Sequence, residues 1–169
     1  MKTEEMRDEL VHLGGGAHAL ALQILGNSDD AADAVQDALA TALGKPDAYR
    51  PDKGPLKPWF LRLVRNRCID LVRRRKPTTG EVGDLADSAK GPEAAAELAD
   101  RDRILQQSLA SLTSDQRQLI VLRDYMDLSY AELASVLDIA AGTVMSRLHR
   151  ARVALAKAYR NYDEHHETH

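Results

Sequence analysis

Residues 129–150 read SYAELASVLDIAAGTVMSRLHR. Ser129 stands three residues before Glu132, the offset of a capping box, in which each side chain accepts the other residue's backbone N–H. Leu133, Ala134 and Leu137 give a short helix its buried side. Asp138-Ile139-Ala140 makes a turn, and Thr143 to Tyr159 forms a last long helix. Two helices joined by three or four residues make a helix-turn-helix, whose second helix enters the major groove of DNA. Ala134 is small where the helices cross, Leu137 and Ile139 fill the angle, and Val144 and Leu148 anchor the second helix from beneath. That leaves Ala141, Thr143, Met145, Ser146, Arg147 and Arg150 on the DNA side. Arg147 and Arg150 lead this set, because a guanidinium serves phosphates and base edges alike. His149 is a surface residue facing DNA or a protein partner. A ligand-free three-helix bundle shows the same periodicity, but the basic continuation through Arg150, Arg152, Lys157 and Arg160 favours DNA.

Upstream of this motif, Leu112-Thr113-Ser114-Asp115 carries a second capping box, with Thr113 three before Gln116. Its helix holds Leu119, Ile120, Leu122 and Arg123 and closes near Asp127. A further helix, near Pro92–Leu109, turns Ala96, Ile104, Leu105 and Leu109 inward. The second unit is therefore expected over 96–160. An acidic tail at 161–169, with His165, His166 and His169, is expected to be disordered. Before the unit, KPTTGEVGDLADSAKGPEAA has little to bury and reads as a flexible linker over 77–95.

The first unit is expected over residues 1–76. Leu10, Leu13 and His18 through Leu25 suggest one or two helices, broken or loosened at Gly14-Gly15-Gly16. Ser28 is read as the cap of a helix that runs to about Leu43, with Ala31, Val35, Ala38, Leu39 and Ala42 on one stripe. Residues 47–57 form a loop, and Pro58 suits the first turn of a long helix. In that helix Phe60, Leu63, Val64, Cys68, Leu71 and Val72 recur at spacings of three and four. Arg62, Arg65 and Arg73 fall opposite and leave a basic side. Cys68, on the apolar stripe, reads as a buried structural cysteine.

Charge sharpens the division. The chain has 169 residues, with 23 Lys+Arg and 26 Asp+Glu. Its net charge of −3 conceals a +6 segment at 59–76, with seven basic groups and one acid. A polyanion feels that segment locally, since charges beyond about 8 Å are largely screened at physiological salt. A single cysteine excludes an intrachain disulfide framework and a cysteine-based zinc knuckle. No apolar run approaches the length of a membrane span, so no membrane insertion is expected. The polar, acidic start is not a secretory signal, which points to the cytoplasm. His12 and His18 are six apart and point differently on a helix, so no metal pair is read. No nucleophile and base share a catalytic context, and no cofactor is implied.

Three stretches in order, DDAADAVQDALATAL (29–43), PWFLRLVRNRCIDLVRRR (58–75) and LTSDQRQLIVLRDYMDLSYAELASVLDIAAGTVMSRLHRAR (112–152), resemble a sigma-70 family sigma factor of the extracytoplasmic-function class. This is the small type with only conserved regions 2 and 4, and the likeness spans roughly 18–76 and 98–160. It implies an all-α fold: a region 2 helical bundle and a region 4 helix-turn-helix, joined by a flexible linker. It implies transcription initiation with core RNA polymerase at promoter DNA, no enzymatic activity of the chain's own, and an anti-sigma factor as a further partner. By resemblance, Asp33, Gln36 and Asp37 lie against the polymerase clamp helices. Tyr49, Arg50 and Lys53 belong to the loop that receives a flipped base of the −10 element. Trp59, Arg62, Arg65, Asn66, Arg73, Arg74 and Arg75 belong to the helix that follows the non-template strand. Ala141, Thr143, Met145, Ser146, Arg147, His149 and Arg150 belong to the helix that reads the −35 element.

The chain departs from the family pattern at Asp138, where Gly is usual, and at Met145, where Lys or Arg is common. Around Ala38, Ala42 and Leu43 the bulky aromatics often found there are lacking, so the first unit's core is expected to be loose or completed by a partner. Two other readings stay open. One is a stand-alone helix-turn-helix regulator that binds a palindromic duplex without polymerase. The other is a helical adaptor whose basic patches meet an acidic protein.

Overall fold

The computed structural model describes residues 3–75 and 100–167, and every regular element among them is helical. The first unit holds α1 (Thr3–His12), α2 (Gly14–Leu25), α3 (Ser28–Gly44) and α4 (Leu56–Arg75). Two 3₁₀ turns, Pro46–Ala48 and Pro51–Lys53, fill the connection into α4. The second unit holds α5 (Asp100–Ala110), α6 (Ser114–Ile120), α7 (Tyr130–Leu137) and α8 (Ala141–Glu167). The expected linker at 77–95, and the start of the helix expected from Pro92, lie outside the described residues.

The helix breaks sit one residue from where the sequence suggests. The chain bends at Leu13, and Gly14–Gly16 form the first turn of α2. Gly26 ends α2 in the left-handed region (φ 74°), its N–H donating to the Leu22 carbonyl at 2.9 Å. Asn27, and not Ser28, caps α3. Its extended backbone (φ −139°) lets Oδ1 accept the Asp30 N–H at 3.0 Å, while Ser28 is already helical. His18 Nε2 lies 3.1 Å from the Ser28 carbonyl and so ties α2 to this turn. Five residues of α3, four of them alanine, are buried: Ala31, Ala34, Val35, Ala38 and Ala42. Small side chains let the α3 backbone approach α2 and α4 closely.

Both capping boxes of the second unit form with reciprocal hydrogen bonds. Thr113 pairs with Gln116, and Ser129 with Glu132. α6 runs into a wide π turn at Val121–Tyr125 before α7. Asp138 closes α7 at φ 55°, ψ 49°, a left-handed position at which its side chain is less at ease than glycine. The last helix starts at Ala141, two residues earlier than expected. It continues through residues 161–167, where a disordered tail is expected from the sequence. No Gly or Pro follows Gly142, so nothing in the chain stops the helix.

The largest departure is in the core. Separate units predict separate cores, yet one continuous cluster joins Met6, Leu20, Phe60 and Val64 to Leu122, Leu133, Val136 and Leu148. A satellite cluster of Leu112, Ile120 and Ala151 completes the second unit. The first unit's alanine-rich core is thus finished by the other half of the same chain.

Candidate nucleic-acid interface

The loop between α3 and α4 folds over its own aromatic pair. Tyr49 is buried, donates its hydroxyl to the Gly54 carbonyl at 2.9 Å, and sets its ring 5.3 Å from that of Trp59. Burial, aided by Glu9, pushes the Tyr49 phenol up, so it stays a neutral donor. Gly54, at φ 147°, makes the bend that brings its carbonyl back. The half-buried Trp59 ring packs on Tyr49 and lines a cleft of about 440 Å³. Arg50, Lys53 and Arg62 line the same cleft. Its opposite wall is Ala131, Glu132 and Ser135 of α7. One site thus holds two aromatic rings and three cations.

Along α4 the basic side is largely spoken for. Arg67 bridges Asp37 (3.0 Å) and Asp70 (3.3 Å), Arg74 pairs with Asp70 (3.2 Å), and Arg75 reaches Asp30 of α3 (2.6 Å). Each of these pairs is partly or well exposed and adds about 0–1 kcal/mol. Asn66 and Arg73 are exposed. Arg65 is not on an open basic side as its spacing suggests. It is half-buried, and its Nε donates to Oε1 of Gln118, in α6, at 2.6 Å. Burial pulls its pKa down, while Asp115 and Asp138 of the second unit oppose that pull. Lys57, which the sequence did not single out, donates Nζ to the Met126 carbonyl, 69 residues away. Cys68 is fully buried on the expected stripe, and burial pushes its thiol up to about 12.

Asp33, Gln36 and Asp37 all lie exposed on one side of α3. Asp37 is the member already engaged, through Arg67. The helix-turn-helix stands as read: Val144 and Leu148 are buried, with Leu133, Val136 and Leu137 against them. Ala141, Met145, Ser146, Arg147, His149 and Arg150 are exposed, and Thr143 is half-exposed. Met145 presents 63% of its surface, so an apolar side chain sits where the groove would meet the helix. Ser146 Oγ donates to the Thr143 carbonyl. Arg152 pairs with Asp124 of the π turn. Among the described residues Arg147 and Arg150 form no ion pair, which leaves both guanidinium groups open to an incoming polyanion.

Comparison with known proteins agrees with this geometry. Residues 11–78 match the family model "Sigma-70 region 2", and residues 102–155 match "Sigma-70, region 4". The chain is 31% identical to the ECF RNA polymerase sigma factor EcfG of Rhodopseudomonas palustris, over 91% of this chain and 84% of that protein. It is 30% identical to the ECF RNA polymerase sigma factor SigW of Bacillus subtilis, covering 85% and 83%. Among solved structures it is similar to the sigma factor RpoE of Bartonella quintana in complex with the anti-sigma factor NepR. The TM-score is 0.74 at 26% identity, over 93% of this chain and 98% of that one. CnrH in complex with the cytosolic domain of CnrY gives a TM-score of 0.65 at 25% identity, over 92% and 88%. A bundle with an aromatic, cationic loop, followed by a helix-turn-helix and matched along both parts, places this chain in the sigma-70 family as an extracytoplasmic-function RNA polymerase sigma factor that serves promoter recognition.

Proposed function

We propose that residues 1–76 bind core polymerase and the −10 element, and that residues 96–160 read the −35 element. Asp33 and Gln36 would meet the polymerase, with Asp37 held in place by Arg67. Tyr49, Arg50, Lys53, Trp59 and Arg62 would capture an unpaired base of the −10 element, and Arg73 to Arg75 would hold the strand's phosphates. Arg147 and Arg150, with Ala141, Thr143, Met145, Ser146 and His149 around them, would lie in the −35 major groove.

The aromatic, cationic cleft carries this assignment. Opening duplex costs about 1.4 kcal/mol per base-pair step on average. Stacking an extruded base on an aromatic ring returns about 1–3 kcal/mol, and Arg and Lys beside it neutralise the phosphates. This is binding energy applied to melting. The phosphodiester bond is made by the polymerase, so the chain acts as a regulatory subunit in the cytoplasm and needs no cofactor. Among the described residues no helix is long and apolar enough to cross a membrane. An anti-sigma factor is proposed as a partner, because the sigma factor RpoE, of similar structure, is complexed with the anti-sigma factor NepR, and CnrH, also of similar structure, is complexed with the cytosolic domain of CnrY.

The test mixes the chain with core polymerase and a promoter library, scoring co-elution and transcript starts. Both should occur. Arg73→Ala should weaken open-complex formation without sequence bias, whereas Arg147→Ala should also change −35 preference. Duplex binding that ignores polymerase would instead favour a stand-alone regulator.

A further inference from the structure

The open side of α8 is not uniform. Ala141, Met145, His149 and Val153 follow one another at four-residue steps and make one exposed row. Thr143, Arg147 and Arg150 make a second row, at steps of four and three. The second row is cationic, and among the described residues neither arginine forms an ion pair. The first row carries no fixed charge. Arg152, on the same side of the helix, is already engaged by Asp124. Packing does not explain Met145, because Val144 and Leu148 supply the buried contacts beneath the helix while Met145 stays 63% exposed. A lone apolar side chain at an ordinary surface position needs no explanation. This one stands in the N-terminal half of the second helix of a helix-turn-helix, the part that meets base edges.

We infer that Met145 selects a thymine in the −35 element by packing its thioether on the C5-methyl group of that base. This rests on the proposed placement of α8 in the −35 major groove. The groove offers one apolar group, the thymine methyl; the other base edges present hydrogen-bond donors and acceptors. A thioether donates nothing and accepts only weakly. Seated on adenine, guanine or cytosine, it would strip water from a polar edge without replacing the lost hydrogen bond, and that costs affinity. Seated on a methyl group, it withdraws apolar surface from water on both partners. Methionine is unbranched and flexible, so it adapts to the contact without a fixed shape of its own. A cation at this position could hold any phosphate whatever the sequence, whereas methionine has no use for a phosphate. The two rows therefore divide the work: Arg147 and Arg150 supply charge and register, and Met145 supplies selection at one base pair.

The test uses the full chain assembled with core polymerase, on promoters randomised across the −35 element. One position should favour thymine, on one strand or the other, and Met145→Ala should flatten that position alone. Deoxyuridine then replaces thymidine there, which deletes the methyl group and keeps every hydrogen-bonding group of the base. Open-complex formation by the unaltered chain should fall about fourfold, the factor for exposing one buried methyl-sized group to water. Met145→Ala should lose nothing by the same replacement. The deoxyuridine measurement on the unaltered chain needs no variant, so it decides the matter even if Met145→Ala fails to fold. Tolerance of deoxyuridine at every thymine of the element, or an equal loss in Met145→Ala, would overturn the inference. If base preferences in the −35 element persist beside that result, the placement of α8 stands and Met145 alone was misread. If no position in the element shows a preference, the placement itself fails and the inference falls with it.

Discussion

The two units present their cations in opposite ways. On α8, Arg147 and Arg150 project from a helix anchored beneath by Val144 and Leu148, with no acidic partner among the described residues. On α4, Arg67, Arg74 and Arg75 are paired with acids of their own unit, and Arg65 is bonded to the other unit. The difference is one of preorganisation. The guanidinium groups of Arg147 and Arg150 stand open to an incoming polyanion, whereas Arg65 would first have to leave Gln118. Surface pairs exchange at little cost. The half-buried Arg65–Gln118 bond, which joins the two units, does not.

The largest expected effect would break the comparison if the units were independent. Phe60 lies fully buried in the continuous core, and Phe60→Ala should cost about 3–5 kcal/mol. In urea, fluorescence and circular dichroism should still report one shared transition. Loss of the first unit's transition alone would show that the halves fold separately. Next comes Arg117→Ala, which strips a cationic donor from the Gln23 and Leu112 carbonyls and should cost about 2–3 kcal/mol. The loss should appear in both halves, because Arg117 joins them.

Arg147→Ala should weaken binding of −35 duplex by about 1–3 kcal/mol, roughly tenfold to a hundredfold, with no change in melting temperature beyond a degree or two. Fluorescence anisotropy against duplexes of varied sequence measures it. The Arg65 contrast sharpens the point. Arg65→Ala should change both stability and strand binding, since that side chain serves the fold as well as the proposed site.

Cys68, buried in the shared core, gives the fold a pH signature. Its folded-state value of about 12 lies above the ordinary thiol value near 8.5. Above pH 8.5 the unfolded chain releases this proton while the folded chain keeps it. Stability should therefore fall as pH rises from about 8.5 toward 12, by up to about 1.4 kcal/mol per pH unit from this group. Below pH 8.5 the group contributes no slope. Urea midpoints of the native chain and Cys68→Ala, compared at pH 7.5 and 10, check the sign. The smallest effect is expected at Asp138. Relieving its left-handed backbone by Asp138→Gly should stabilise the second unit by about 0.5 kcal/mol.

The helix-turn-helix was readable because its signals are local. Two capping boxes, the Leu133–Leu137 and Val144–Leu148 stripes and the turn at Asp138 all lie within about forty residues, and each states its own geometry. The α4 stripe through Phe60, Val64 and Cys68 was readable for the same reason. The site on α4 was only half legible. Periodicity separates Arg65 from the apolar side, but it does not reveal a glutamine 53 residues later that holds it. Nor does it explain Gly16, whose missing side chain accommodates Met126 from the other unit. Leu61 was passed over although it stands seven residues before Cys68, on the same face of α4, and it is fully buried in the core that both units share.

By itself, then, the order of residues determined the helices, their caps, the basic helix and the recognition helix. These follow from 3.6-residue periodicity and from hydrogen bonds between near neighbours. Which cations stand open and which are engaged was decided only by the tertiary structure. A side chain's partner depends on which surfaces meet after folding, and local spacing carries no record of contacts made across fifty or more residues.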